Sequence, residues 1–154
     1  MLKKTMKPWP VWIVAVLFLA ACGSDDSPSE PDSELSALVG DWEATTLELT
    51  NTANPAVVVD LIEQGATFTL NVQPSGQYTA ILIFSQQAQT EIGQLTVSGA
   101  TVTLQPEYPS GLPPTTATYT LEGGRLTLDG DTEFDFNLDG TPEAARSHIV
   151  LVRQ

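Results

Sequence analysis

Few side chains in this 154-residue chain are of the types that catalysis or metal binding requires. The chain has one histidine, His148, and one cysteine, Cys22. His148 follows Ser147 on a predicted strand, and because neighbouring strand residues point to opposite faces, that serine cannot be its nucleophilic partner. A structural zinc site takes about four Cys or His ligands. The sequence therefore predicts neither an enzyme nor a zinc protein, and no cofactor is expected.

Carboxylates form the main concentration of metal-binding groups, in the segment 129–140. Its portion Asp135-x-Asn137-x-Asp139-Gly140 matches the beginning of an EF-hand calcium loop, which needs a bidentate Glu at its twelfth place. Arg146 occupies that place. We therefore expect a solvated acidic strand that ends in an Asp-Gly turn. The alternative is a weak calcium site, with the oxygen ligands Asp135, Asn137, Asp139 and Glu143.

The first 21 residues have the order of an export signal. Three lysines precede the apolar run 11–20, which is shorter than the roughly 20 residues of a membrane-spanning helix. The run ends in Leu19-Ala20-Ala21-Cys22, which resembles the lipobox of bacterial lipoproteins. That resemblance implies cleavage before Cys22 and attachment of fatty acyl chains such as palmitate to it. Gly23, in place of Asp, implies onward transport to the outer membrane. The alternative is an ordinary signal with a chance cysteine.

The predicted mature chain is strongly acidic. All the lysines lie in the signal, so three arginines face 19 acidic residues and the formal charge is −16. Such a field repels nucleic acid and anionic lipid head groups, so nucleic acid is not an expected partner. Residues 22–36 hold the lipidated cysteine and then almost only Ser, Asp, Glu and Pro. They predict a disordered acidic tether.

From residue 37 onward the sequence is typical of an antiparallel all-β domain. Short runs rich in Thr, Val, Leu and Tyr alternate with Gly-containing turns, including Asp129-Gly130. One short helix is expected at Val57–Gln64, closed by Gly65. Chained hairpins predict an up-and-down barrel of about 8–9 strands. The predicted strands are Asp41–Thr50, Thr67–Val72, Gln77–Ser85, Ile92–Val97, Thr101–Gln105, Thr116–Leu121, Arg125–Leu128, Thr132–Leu138 and Ser147–Arg153.

The stretch Ile81-Leu82-Ile83-Phe84 breaks the alternation, because it is apolar on both faces of its predicted strand. We expect a helix or a loop to cover its outer side. The alternative is an exposed patch that contacts a partner or a membrane surface.

The two ends of the domain carry a family resemblance. It opens with Leu38-Val39-Gly40-Asp41-Trp42 and closes with Leu151-Val152-Arg153-Gln154. A Gly-x-Trp at the head of the first strand of a small β-meander, with an Arg on the last strand, resembles the lipocalin superfamily. The resemblance implies that Gly40, Trp42 and Arg153 close one end of the barrel, with Arg153 packed across the Trp42 ring. The middle lipocalin motif has no clear counterpart, and the domain is shorter than a full lipocalin.

Together these observations predict a lipid-anchored protein of the bacterial envelope, held at the outer membrane. We expect its lipocalin-like barrel to bind a small apolar or amphipathic ligand, within the barrel or at its mouth. The alternative is a structural or interaction module with a solidly packed barrel and an envelope protein as its partner. The candidate ligand contacts are the inward aromatic residues Phe68, Tyr78, Tyr119, Phe134 and Phe136.

Overall fold

The computed structural model describes residues 33–154 and shows an all-β protein with one short helix. The export signal and Cys22 lie outside the described residues. The elements are α1 (Ser33–Leu38), β1 (Gly40–Asn51), β2 (Val58–Asp60), β3 (Thr67–Val72), β4 (Gln77–Phe84), β5 (Gln87–Ser98), β6 (Thr101–Tyr108), β7 (Thr115–Glu122), β8 (Arg125–Phe134) and β9 (Glu143–Arg153).

The predicted up-and-down barrel is confirmed. Strands β3 to β9 pair with their sequence neighbours, β1 pairs with β3, and every pairing is antiparallel. Pairing of β1 with β9, from Trp42↔Arg153 to Asn51↔Ala145, closes eight strands into a barrel. The short strand β2 is not one of these eight and pairs with Glu48, Leu49 and Thr50 near the end of β1. Closure leaves these eight strands without a free sheet edge along most of their length.

Up-and-down topology gives the barrel two distinct ends. Helix α1, the C-terminal residues and the reversals at 73–76, 99–100 and 123–124 share one end, which we call the plugged end. The connections 52–57, 85–86, 109–114 and 135–142 share the other, which we call the distal end. Pairing of β6 with β7 stops at Leu104↔Thr115, so the rest of β6 has no partner on that side at the distal end.

Alternate residues of each strand point inward and fill the barrel with two clusters of packed side chains. The first lies toward the plugged end and includes Trp42, Tyr78 and Leu151, all essentially buried. The second lies toward the distal end around Leu47 and Leu61, with several phenylalanines packed against it. Removing these apolar surfaces from water is the main driving force for folding.

The predicted helix at Val57–Gln64 is wrong. Strand β2 occupies Val58–Asp60, and a turn follows at 61–65. Consecutive β-branched valines fit a strand better than a helix. The Asp60 carboxylate then accepts a hydrogen bond from the backbone N–H of Ile62 at 2.8 Å, which fixes the turn.

The one helix of the described chain instead covers Ser33–Leu38, which overlaps the last residues of the predicted tether. Leu35 of this helix packs against the first core cluster. Glu34 accepts a hydrogen bond from the backbone N–H of Gly99 at 3.2 Å. The last predicted tether residues are therefore ordered by tertiary contacts with the barrel, which their polar composition did not indicate.

Strand β8 is continuous where the sequence predicted two strands and an Asp129-Gly130 turn. A side chain at Gly130 would place its Cβ 3.1 Å from the carbonyl oxygen of Thr116, so this glycine permits close approach of β7. The strand ends at Phe134, and residues 135–142 form a loop. The predicted strand extension through Phe136 to Leu138 is therefore wrong as well.

Candidate functional site

Four interactions around Trp42 hold the plugged end together. The Arg153 guanidinium lies over the Trp42 ring, with Cζ 4.3 Å from the ring centroid. It also donates hydrogen bonds to the carbonyl oxygens of Val39 and Ala37, the latter at 2.8 Å. The indole Nε1 of Trp42, fully buried, donates to the carbonyl oxygen of Leu38 at 2.8 Å. The stacking contact that the lipocalin resemblance implied is present. The hydrogen bonds beside it satisfy carbonyl groups at the C-terminal end of α1.

Gly40 is required by the same arrangement for two reasons. Its φ of +138° lies in the region that side-chain-bearing residues rarely adopt. A Cβ on Gly40 would also lie 2.6 Å from Nη1 of Arg153. The Gly-x-Trp spacing and the distant arginine are therefore one structural unit, which supports the fold and offers no room for a ligand.

The five aromatic residues predicted to contact a ligand do not form one site. Tyr78 is completely buried in the first cluster, and Tyr119 packs beside that cluster with partial exposure. Phe134 and Phe136 pack against the second cluster, with their rings edge to face and centroids 5.0 Å apart. Phe68 touches both clusters. These rings are therefore part of the hydrophobic core, the two tyrosines toward the plugged end and Phe134 and Phe136 toward the distal end.

Tyr78 carries the one strongly perturbed titratable group that the structure resolves. Its phenol donates a hydrogen bond to Oε1 of Glu91, which points into the barrel from β5. Burial raises the pKa of Tyr78 far above its ordinary value, and the hydrogen bond to Glu91 raises it further. The pair satisfies two polar groups inside an apolar wall and holds the phenol protonated.

Two concavities of ligand-sized volume lie outside the barrel interior, and both are shallow. The one of about 370 Å³ crosses the outer face of β7, β8, β9 and β1. In it, Nδ1 of His148 lies 2.7 Å from Oδ1 of Asp129, and both side chains are about half exposed. The Ser147 hydroxyl donates to the carbonyl of Gly130 on the opposite face, so the predicted separation of Ser147 from His148 is confirmed.

The other concavity, of about 480 Å³, lies at the plugged end between α1 and β7. Tyr119 is the only one of the predicted aromatic contacts that borders it. Its lining residues are Glu34, Ala37, Gly99, Ala100, Tyr119, Thr120 and Leu121. Neither concavity therefore corresponds to a ligand cavity enclosed by the barrel.

The acidic loop is held by its own side chains. Both carboxylate oxygens of Asp135 accept backbone N–H groups, from Asp139 at 3.1 Å and from Gly140 at 2.8 Å. The Glu143 carboxylate accepts the backbone N–H of Phe136 at 2.9 Å and the side-chain amide of Asn137 at 2.8 Å. Within residues 33–154, no group of three or more His, Cys, Asp or Glu side chains is placed to hold a metal ion.

This loop presents the most exposed large apolar side chain of the described chain. Leu138 is 86% exposed and has a φ of +59°, which is left-handed backbone that a leucine adopts only with strain. The backbone N–H of the next residue, Asp139, donates to Oδ1 of both Asp135 and Asn137, and these hydrogen bonds hold that conformation. The loop therefore holds Leu138 in a strained backbone conformation with its side chain exposed to water.

Leu138 belongs to a wider pattern that the sequence analysis missed. All the large apolar side chains that are strongly exposed in residues 33–154 lie at or beside the distal end, three on connections and three near the ends of strands. A shared position at one end of a barrel arises only when the strands are assembled. The residues are Val57, Val58, Ile83, Tyr108, Leu112 and Leu138.

The stretch Ile81–Phe84 divides between the two faces of β4. Leu82 and Phe84 point inward to the second cluster, whereas Ile83 points outward and is 45% exposed. Helix α1 lies at the plugged end, whereas Ile83 lies near the distal end, and the helix packs on β5. The expectation that a helix or loop covers this outer side is therefore wrong, and the apolar side chain is left open to a partner.

No family model, curated protein or solved structure matches this chain. Among residues 33–154, no helix is long and apolar enough to cross a membrane. The lipid attachment predicted at Cys22 falls outside the described residues.

Proposed function

We propose that the protein is a lipid-anchored lipoprotein of the bacterial envelope whose distal end binds an apolar or amphipathic molecule. The anchor rests on the lipobox that ends at Cys22 and on the acidic tether that follows it. Helix α1, where the tether joins the domain, lies at the plugged end. The tether therefore meets the domain at the end opposite the proposed binding surface, which leaves the distal end free to face away from the membrane.

The observation that carries the binding proposal is the clustering of exposed apolar side chains at the distal end. Such side chains are normal when scattered singly, but their grouping marks a surface that contacts other apolar matter. Leu138 adds a second argument, because its left-handed backbone and its exposure both cost free energy that a merely structural loop need not spend.

The filled interior supports the mouth of the barrel, rather than its inside, as the location of the ligand. Trp42, Tyr78 and Leu126 are among side chains of the first cluster that have essentially no contact with water. The second cluster closes the barrel toward the distal end. The proposal therefore places the ligand at the mouth of the barrel, where Phe68, Phe134 and Phe136 pack against the second cluster beneath it.

The test uses a neutral fluorescent probe, N-phenyl-1-naphthylamine, which brightens in apolar surroundings and is not repelled by an acidic protein. Residues 23–154 are produced in a bacterial periplasm and titrated with the probe. Binding should weaken about tenfold in Leu138→Asn, since burying a leucine side chain is worth about 1.5–3 kcal/mol. The same variant should not lose stability, because asparagine tolerates left-handed backbone better than leucine.

The matched control is Ala100→Asn, which places the same side chain at an exposed position of the plugged end. It should bind the probe as the unaltered protein does. If the unaltered protein leaves the probe dark, or if Leu138→Asn binds it as tightly as Ala100→Asn, the distal end is not the binding surface.

A second candidate function is favoured by the outward exposure of Ile83. In this case the packed barrel is an interaction module, and its outer face meets an envelope protein. The Ile83→Lys variant should then lose a partner in pull-down from envelope extracts while its melting temperature stays unchanged. An unchanged set of captured proteins counts against this candidate.

A further inference from the structure

Strand β7 is shorter than both of its neighbours at the distal end. Its pairing with β6 stops at Thr115, and its pairing with β8 stops at Ala117. The two neighbours continue beyond those points, over residues 105–108 of β6 and 131–134 of β8. These two strand ends therefore flank a place in the barrel wall that no strand of the described chain fills, and we call it the slot.

The connection 109–114 explains why β7 begins so late. Three of its six residues are prolines, which have no backbone N–H to donate to a sheet ladder. The observed registers, extended by two and three residues, place Pro113 opposite Pro106 and Pro114 opposite Glu133. Every residue of the connection is exposed. The connection therefore leaves both ladders incomplete.

The backbone of Glu133 faces the slot with its hydrogen-bonding groups. The N–H of Arg153 donates to the carbonyl oxygen of Gly124 at 3.2 Å, so every second residue of β8 counted from Gly124 bonds to β9. In an antiparallel ladder the residues between them point the other way, here toward β7. Glu133 is one of these, and no backbone hydrogen bond joins it to the connection 109–114. Such an edge pairs readily with an added extended segment.

The slot also exposes residues that point into the barrel. Thr132 points inward because it pairs with Ala145, which is 1% exposed and inward. Thr115 points inward because it shares a face of β7 with Ala117 and Tyr119, which pack against the first cluster. Both threonines are nevertheless exposed. A strand seated in the slot would cover them.

The dimensions of the slot fit one strand. Strands β6 and β8 both pair with β7, so they lie about two strand spacings, or about 9.6 Å, apart where β7 ends. Four residues on each side, at about 3.3 Å each, make the slot about 13 Å long. On its inner side lie Pro106, which is buried, and Phe134, which packs against the second cluster. An extended segment of about four residues fits, with an apolar side chain inward.

Carboxylates border the slot on both sides. Asp131 and Glu133 are exposed on the outer side of β8, and Glu107 is exposed on β6. The Arg146 guanidinium lies beside Asp131, with Nε 3.5 Å from its carboxylate, and within residues 33–154 neither Glu133 nor Glu107 has an ion pair. An entering strand therefore meets a negative rim, which is complementary to lysine and arginine side chains.

We propose that the slot binds an extended basic segment of a partner protein by strand addition, with basic side chains outward and an apolar side chain between them inward. The incoming residue beside Glu133 supplies the N–H that Pro114 lacks. This inference goes beyond the ligand binding proposed above, because it rests on backbone pairing and charge rather than on exposed apolar side chains.

The test combines the full chain, purified in a neutral detergent, with a capped peptide in which lysine and valine alternate. Residue-resolved hydrogen exchange locates the peptide on the protein. At saturation the exchange of the Glu133 N–H should slow by at least about tenfold, because that group gains a hydrogen bond. A peptide that fails to bind, or that binds without slowing exchange at Glu133, would overturn the proposal; the second result would show only general attraction to an acidic protein.

Two charge reversals separate the slot from that general attraction. Glu133→Lys should weaken binding of the peptide at least about fivefold, because it replaces a complementary charge at the rim by a repulsive one. Glu43→Lys makes the same change in net charge at an exposed, outward position of β1 near the plugged end, and should weaken binding less than about twofold. Both side chains are exposed, so both variants should melt as the unaltered protein does. Equal losses of binding in the two variants would refute binding at the slot.

Discussion

The closure of the plugged end can be tested by removing the Arg153 guanidinium while keeping its aliphatic stem, as in Arg153→Met. The substitution deletes the contact with the Trp42 ring and two hydrogen bonds to carbonyls of the α1 segment. At a partly exposed site the cation–π contact is worth about 0.5–1 kcal/mol. Each hydrogen bond adds about 0.5–1 kcal/mol, at the lower end of the usual range because water competes for the donors.

The expected loss is therefore about 2 kcal/mol in the free energy of unfolding, or about 8 °C in melting temperature for a domain of this size. Urea denaturation followed by Trp42 fluorescence measures it, because residues 23–154 contain no other tryptophan. Arg153→Lys should lose about half as much, since an ammonium keeps the charge but cannot bridge two carbonyls and a ring together.

The matched control is Arg125→Met on the neighbouring strand β8. The side chain of Arg125 is exposed and makes no hydrogen bond or ion pair within the described residues. It should change stability by less than about 0.5 kcal/mol, as surface substitutions usually do. If Arg153→Met and Arg125→Met unfold at the same urea concentration, the plugged end is not held by the arginine and the reasoning fails.

Three further predictions follow from the same structure. Gly40→Ala should lower the free energy of unfolding by about 2–3 kcal/mol, because of the positive φ of Gly40 and a clash with Arg153. In a double-mutant cycle followed by urea denaturation, the loss should be smaller in an Arg153→Ala background, and equal losses in both backgrounds would contradict the clash. Because the pKa of Tyr78 is raised in the folded state, its contribution to the free energy of unfolding is fully present below pH about 10 and is lost as the pH rises above it. Stability should therefore fall less steeply with alkaline pH in Tyr78→Phe, and parallel curves for the two proteins would show that another group is responsible. Asp135→Ala should lower the melting temperature by a few degrees, because it removes two hydrogen bonds to the backbone. Millimolar calcium should leave the melting temperature of the unaltered protein unchanged, since backbone N–H groups already bind the Asp135 carboxylate. A rise with calcium that Asp135→Ala abolishes would establish a metal site instead.

Much of the barrel could be predicted from residue order. Alternation such as Phe68, Leu70 and Val72 against threonine and asparagine is a local property of a strand, so β3 was predicted with its observed bounds. The plugged end was also predictable, because Gly-x-Trp at one end of the domain and Arg153 at the other form a recognisable pair.

The errors arose where tertiary contacts outweighed local preference. The segment 57–64 has an ambiguous pattern, and pairing of Val58 with Thr50 made it a strand. Asp129-Gly130 has the composition of a turn, yet its place between β7 and β9 requires a glycine within a strand. Residues 33–36 read as part of a tether because their order comes from contacts with residues such as Gly99, distant in sequence.

By itself, the sequence determined the class of the fold, the closing tryptophan and arginine and the acidic charge, and it predicts an anchor at Cys22. Only the tertiary structure decided which exposed residues share the distal end. It also decided that the five aromatic residues fill two clusters rather than line one site. The reason is physical: alternation and turn chemistry act between residues close in sequence, whereas strand register and barrel closure choose the neighbours of residues far apart.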